Sequence, residues 1–173
     1  MPINQIHTVI DIGTGAGFPG IPLKIAFPHL QMVLLDSLKK RVAFLEQLTT
    51  QLGLTGIRCI HGRAEEWGHH RDYREQFDLV TARAVAKLNI LAEYCLPFVK
   101  VGGSFVAMKG TDVSVELEQA KRAFDVLGHA SYQQRQLTLP QQLGQRNLIR
   151  IIKNRKTPAS YPRRPGLPKK HPL

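Results

Sequence analysis

Short apolar runs alternate with amphipathic stretches along most of the chain. Thr8-Val9-Ile10-Asp11-Ile12 stops at a cluster of glycines, the pattern of a buried strand entering a tight loop. A short helix over about 21–27 follows and is stopped by Pro28, and 31–36 reads as a second buried strand that ends in an acid. Ser37 is positioned to cap the next helix, where Leu38, Val42, Leu45, Leu48 and Leu52 recur at helical spacing up to Gly53. The same reading predicts strands over 57–61, 77–82 and 104–108, an apolar helix over about 88–99 and a helix over about 113–127. Closing strands are predicted near 129–137 and 147–153, with 71–76 as a polar connection. Strands that alternate with helices build a parallel sheet whose crossovers cover its faces. The expected fold is therefore α/β: a doubly wound, Rossmann-like domain with a mostly parallel seven-stranded sheet and helices on both faces. From Asn154 onward, five prolines, many basic residues and few apolar ones predict an extended tail, lying on the domain or flexible in solution. The expected division is a domain over 1–153 and a tail over 154–173.

A length of 173 residues with 43% apolar content suits one globular domain with a real core. No stretch approaches the roughly 20 apolar residues of a membrane span, and the N-terminus lacks the regions of a signal peptide. These features predict a cytoplasmic protein with no membrane partner. Cys59 and Cys95 fall in apolar segments without metal-ligand spacing, so they read as reduced core residues, and no metal is expected.

Charge is distributed unevenly. Residues 1–125 hold 14 Lys and Arg against 13 Asp and Glu, whereas 126–173 hold 10 Lys and Arg and no acid, so nearly all of the net +11 lies in the C-terminal quarter. A polyanion is the natural partner of such a segment, because each phosphate contact releases condensed counterions. A solvated basic tail would look the same.

Asp11-Ile12-Gly13-Thr14-Gly15-Ala16-Gly17-Phe18-Pro19-Gly20 sets an acid before a glycine-rich turn, where a ligand of an open α/β sheet is expected to lie. Two patterns overlap here. Gly15, Gly17 and Gly20 satisfy the GxGxxG of dinucleotide-binding proteins, while Asp11, Gly13, Gly15 and Gly17 satisfy the DxGxGxG of methyltransferases. Pro19 and Pro22 make a poor helix N-terminus for a pyrophosphate, and Asp11 would repel one while suiting a cationic amino or sulfonium group. Asp36 suits the ribose hydroxyls of adenosine in either cofactor. After the third strand, Gly62-Arg63-Ala64-Glu65-Glu66-Trp67 places Ala64 and Glu65 where an adenine edge is expected. Arg83, Lys109 and Arg146 follow or flank strands facing that cleft and are candidates to orient a base or its phosphates. In the tail, Arg163, Arg164, Lys169 and Lys170 lie among prolines in an extended path that can track a phosphate backbone.

Taken together, DIGTGAGFPGIPL, LLDSLKKRVAFLE, GRAEEW, FDLVTARAVAKL, VAMKG and the ending RNLIRIIKNRKTPASYPRRPGLPKKHPL resemble the ribosomal small-subunit methyltransferase G family, also called glucose-inhibited division protein B. The FPGIPL extension of the loop and the YPRRPG tail are the most specific parts of that likeness. The resemblance implies a class I methyltransferase that uses S-adenosylmethionine to methylate N7 of guanine 527, in the 530 loop of 16S rRNA. Its partner would be 16S rRNA or the 30S subunit, met as a monomer. It carries cofactor roles onto Gly13, Phe18, Ala64, Glu65 and Arg83. The family also has a helical extension ahead of the first strand that is not seen here. Guanine N7 has a free lone pair, so no catalytic acid or base is nominated. The rival readings are a nicotinamide-dependent oxidoreductase, a non-enzymatic RNA-binding or ribosome-assembly module, and a methyltransferase of small molecules or proteins, which would leave the basic tail without a role.

Overall fold

The computed structural model describes residues 2–83, 86–110 and 113–173; Ala84 and Val85 of the FDLVTARAVAKL motif lie outside the described residues. The first apolar run forms β1 (Thr8–Ile12), the second β2 (Gln31–Asp36), followed by β3 (Ile57–His61), β4 (Phe77–Arg83) and β5 (Val99–Lys109). These five run parallel, and β7 (Gln145–Lys153) enters antiparallel between β5 and β6 (His129–Thr138), giving the order β3-β2-β1-β4-β5-β7-β6.

Alternation along each strand supplies two cores. Val9, Met32, Leu34 and Leu79 pack against Ile21 of α1 (Gly20–Ala26) and Leu45 of α2 (Lys39–Gln51). Ile10, Ile12, Val33, Leu35, Val80 and Ala82 face the opposite way. They pack on Leu88, Leu91 and Cys95 of α4 (Leu88–Cys95) and on Leu117, Phe124 and Leu127 of α5 (Ser114–Leu127), with the one-turn α3 (Ala64–Trp67) at the edge of this layer. Helices thus lie on both faces, as the pattern predicted. Strand order reverses where β1 lies between β2 and β4, which opens a crevice at their carboxyl ends.

Three expectations shift. Ser37 makes no cap; Leu38 occupies the position before α2, and its amide is taken by the Asp36 carboxylate at 2.9 Å. The apolar helix ends at Cys95 rather than Val99, because Pro97 cannot continue the amide ladder and Leu96–Phe98 tightens into a 3-10 turn. β5 then begins early, at Val99 opposite Phe77, with a register shift before Leu79. Gly103 suits that irregularity, since a Cβ there would meet the Asp78 carbonyl at 2.9 Å and the Phe77 carbonyl at 3.0 Å.

The basic tail is docked on the domain. Arg74, from the polar connection, donates to the carbonyls of Gly68 at 2.9 Å, Tyr161 at 2.7 Å, Thr157 at 2.8 Å and Pro158 at 3.1 Å. Glu75 accepts from the fully buried Lys153 at 2.7 Å and from the Thr157 amide at 2.9 Å. Burial pulls the Lys153 ammonium down to about 8 despite this partner.

Candidate cofactor site

The glycine loop is held by bonds made almost wholly within itself and to its neighbouring strands. Gly13 and Thr14 donate their amides to the Leu35 carbonyl at 2.8 and 3.2 Å, and the Gly15 amide donates to Asp36 at 2.9 Å. Gly13, Gly15 and Gly17 have φ of 65°, 63° and 92°, a region that favours glycine. At Gly17 the space is also needed, because a Cβ would meet Ile21 Cγ1 at 2.8 Å.

Asp11 faces inward. Its fully buried carboxylate accepts from the Thr14 hydroxyl at 2.7 Å, the Thr81 hydroxyl at 2.8 Å and the Gly20 amide at 3.1 Å. Burial raises its pKa, and these donors oppose the rise. Asp11 therefore fixes the loop to β4 and α1 instead of offering its charge to a ligand, which corrects the sequence expectation. Its hold on Gly20 also bears on the two overlapping motifs. Ile21 donates to Gly17 at 2.7 Å, Pro22 has no N–H, and Leu23 donates to Pro19 at 3.0 Å, so α1 begins with no free amide for a pyrophosphate. Across 13–20, the Ala16 amide is the one N–H without an acceptor among the described residues.

Two joined clefts open at the carboxyl ends of the strands. The larger, about 610 Å³, combines apolar walls from Ile12, Leu35 and Ile90 with Asp36, Ala64, Glu65 and Tyr94. The second, about 480 Å³, runs over Gly13 to Ala16 and Phe18 to Arg41 and Arg83; Gly13, Asp36 and Ser37 line both. Asp36, only 3% exposed, bonds to Gly15 and Leu38 along this boundary. Arg83 stacks its guanidinium over the Phe18 ring, 5.4 Å from the centroid, at the mouth of the second cleft. Gly17 lies beneath the loop against Ile21 and Leu45 and lines neither cleft.

The cationic candidates divide. Lys109 and Arg146 lie at the same sheet edge as Arg83, because β5 ends where β7 begins. Lys109 is 10% exposed and pairs with Glu116 at 2.7 Å, whereas Arg146 is exposed. Arg163 is turned onto Glu93, with Nε at 2.9 Å and a terminal nitrogen at 2.6 Å from its carboxylate oxygens. Arg164, Lys169 and Lys170 are exposed, and Lys169 lines the larger cleft. Sequence reading missed Ile90 and Tyr94, whose four-residue spacing on α4 turns both toward the cleft. Burial first, and then Glu65 and Glu93, push the Tyr94 phenol up to about 12.

The family model for rRNA small subunit methyltransferase G matches residues 2–149. The chain belongs to this family. Its relatives in the rRNA small subunit methyltransferase G family include the ribosomal RNA small subunit methyltransferase G of Exiguobacterium sp., 54% identical over 98% of this chain and 71% of that one. The protein of the same name from Brevibacillus brevis is 52% identical over 99% of this chain and 72% of its own. Among solved structures, a predicted O-methyltransferase from Agrobacterium tumefaciens superposes with a TM-score of 0.69 at 14% identity, over 87% of this chain and 76% of that one. A Haemonchus contortus N-methyltransferase bound to S-adenosylhomocysteine gives 0.63 at 15% identity, over 86% and 49%. At such identities the likeness is one of fold, and it places the family member's sheet among class I methyltransferases. No helix among the described residues is long and apolar enough to cross a membrane.

Proposed function

We propose that this family member transfers a methyl group from S-adenosylmethionine to N7 of guanine 527, in the 530 loop of 16S rRNA, free or within the 30S subunit. The observation that carries the reading is the pair of joined clefts around Asp36, beside a helix whose first amides are already bonded. Their combined shape and lining fit a nucleoside joined to an amino acid. Apolar walls and the Ala64–Glu65 corner suit adenine, Asp36 suits ribose hydroxyls, and the second cleft offers the free Ala16 amide, Arg41 and Arg83 to a carboxylate. The start of α1 offers no amide to a pyrophosphate.

Bound there, S-adenosylmethionine supplies an electrophilic methyl group on a sulfonium. Guanine N7 would attack that methyl carbon with a lone pair free at neutral pH while the S–CH3 bond breaks and its electron pair goes to sulfur, leaving S-adenosylhomocysteine, so no side chain has to take a proton. The contribution of this chain is positioning: the Gly13–Phe18 loop, Asp36 and the β3–α3 corner hold one reactant, and the basic sheet edge holds the other in line with it. Arg83 and Arg146 on that edge, with Arg164 and Lys170 on the tail, are the exposed cations for RNA; Lys109 supports the edge through Glu116.

The test is transfer of labelled methyl to 30S subunits and to 16S rRNA that lack the modification, with the nucleotide mapped by mass spectrometry. Label on the guanine N7 is expected. Cofactor binding without transfer to either substrate would overturn the proposed reaction.

A further inference from the structure

The basic tail forms part of the larger cleft. Lys169 and Pro172 line it together with Asp36, Glu65 and Tyr94. Three fastenings of this segment, at Arg163, Gly166 and Leu173, go to the helices that build the cleft. Glu93, on the helix that supplies Ile90 and Tyr94, accepts the Arg163 amide at 2.8 Å as well as its guanidinium. Glu65, itself 5% exposed, accepts the Gly166 amide at 3.1 Å, and Asn89 donates to the Leu173 carbonyl at 3.3 Å.

The Gly166 contact places the start of the short turn α6 (Leu167–Lys170) at the β3–α3 corner. Lys169 follows three residues later, a rise of about 4.5 Å along a helical turn. Among the described residues its ammonium has no hydrogen-bond or ion-pair partner, whereas Lys109 is paired with Glu116 and Lys153 with Glu75. A lysine that lines a ligand-sized cleft without a partner is available to an acceptor atom of the occupant.

We infer that Lys169 is a cofactor-binding residue that donates to the acceptor edge of adenine, and that tail residues 166–172 are a wall of the cofactor site. The inference rests on the reading of the clefts as an S-adenosylmethionine site. It separates Lys169 from its basic neighbours Arg164 and Lys170, which stay outside the cleft lining. It also ties tail docking to cofactor affinity through Glu65, which touches both.

Calorimetric titration of the whole chain with S-adenosylhomocysteine and with 5′-methylthioadenosine, which lacks the amino-acid end, tests this. Lys169→Met keeps the apolar stem and removes the donor. It should weaken both ligands about 10- to 100-fold, the scale of one hydrogen bond to a charged group. Binding of 16S rRNA without cofactor should stay within about twofold on the same scale, and Lys156→Met, on the exposed part of the tail, should change neither. Unchanged cofactor affinity in Lys169→Met, with affinity lost in Asp36→Ala, overturns the tail inference and leaves the site reading standing. A loss confined to S-adenosylhomocysteine puts Lys169 on the carboxylate end and overturns the adenine assignment. Failure of the unaltered chain to bind either ligand, or full binding by Asp36→Ala, overturns the site reading and this inference with it.

Discussion

The carboxylate of Asp36 accepts the Gly15 amide at 2.9 Å, so the end of β2 and the middle of the glycine loop fix one another. Its other oxygen takes the Leu38 amide. Asp36→Ala removes the loop tie and the proposed ribose acceptor together. Affinity for S-adenosylhomocysteine should fall about 10- to 100-fold, the scale of one hydrogen bond to a charged group, as read by calorimetry.

Asp11 is a question of stability rather than ligand charge. Three donors point at one buried carboxylate, and Asp11→Asn turns an amide N–H₂ toward at least one of them. The expected cost is about 2–3 kcal/mol for a buried donor left unpaired. Urea unfolding measures it, and an unchanged midpoint would contradict the inward role.

Arg163 and Glu93 supply the strongest tail anchor in charge terms. The Glu93 side chain is 1% exposed, so Arg163→Ala leaves a buried carboxylate unpaired, at a cost of about 3 kcal/mol. The double variant Arg163→Ala/Glu93→Gln should recover part of that loss. Limited proteolysis of 154–173 should speed up in both variants if the tail is released.

Acid should weaken the start of β1. Burial pushes the Asp78 carboxyl up, but Lys100, the amides of His7 and Thr8 and the Thr8 hydroxyl outweigh it and bring it down to about 2. A carboxyl held below its ordinary value stabilises the fold when ionised. That contribution is complete above about pH 4 and is lost as pH falls toward 2, and the shift corresponds to about 2 kcal/mol. Urea unfolding at pH 5 and pH 2.5 should show this drop, and Asp78→Asn should flatten it while being less stable at pH 5.

The strands of the left half were legible because β1, β2 and β4 are buried on both faces and read as unbroken apolar runs. The start of β5 was not, since Lys100-Val101-Gly102 is exposed and reads as a loop although Val99 already pairs with Phe77. The glycine loop, Asp36 and the Ala64–Glu65 corner were legible as local motifs. Docking of the tail was not. Glu93 and Arg163 are 70 residues apart, and Arg74 reaches Thr157 across 83, so their pairing leaves no periodic trace. Asp11 misled for a related reason: its motif gave its neighbourhood, whereas its direction is set by Thr81 on another strand.

The bonded amides at the start of α1 have a bearing on competition inside a cell. ATP and NAD present the same adenosine as S-adenosylmethionine, then continue into phosphates. From Gly20 to Leu23 this helix has no vacant donor to meet them, because the Gly20 amide is already taken by the Asp11 carboxylate. The start of this helix therefore withholds one contact that those rivals would use, and ATP added to a methyl-transfer reaction should inhibit only at concentrations well above those of S-adenosylhomocysteine that give the same inhibition.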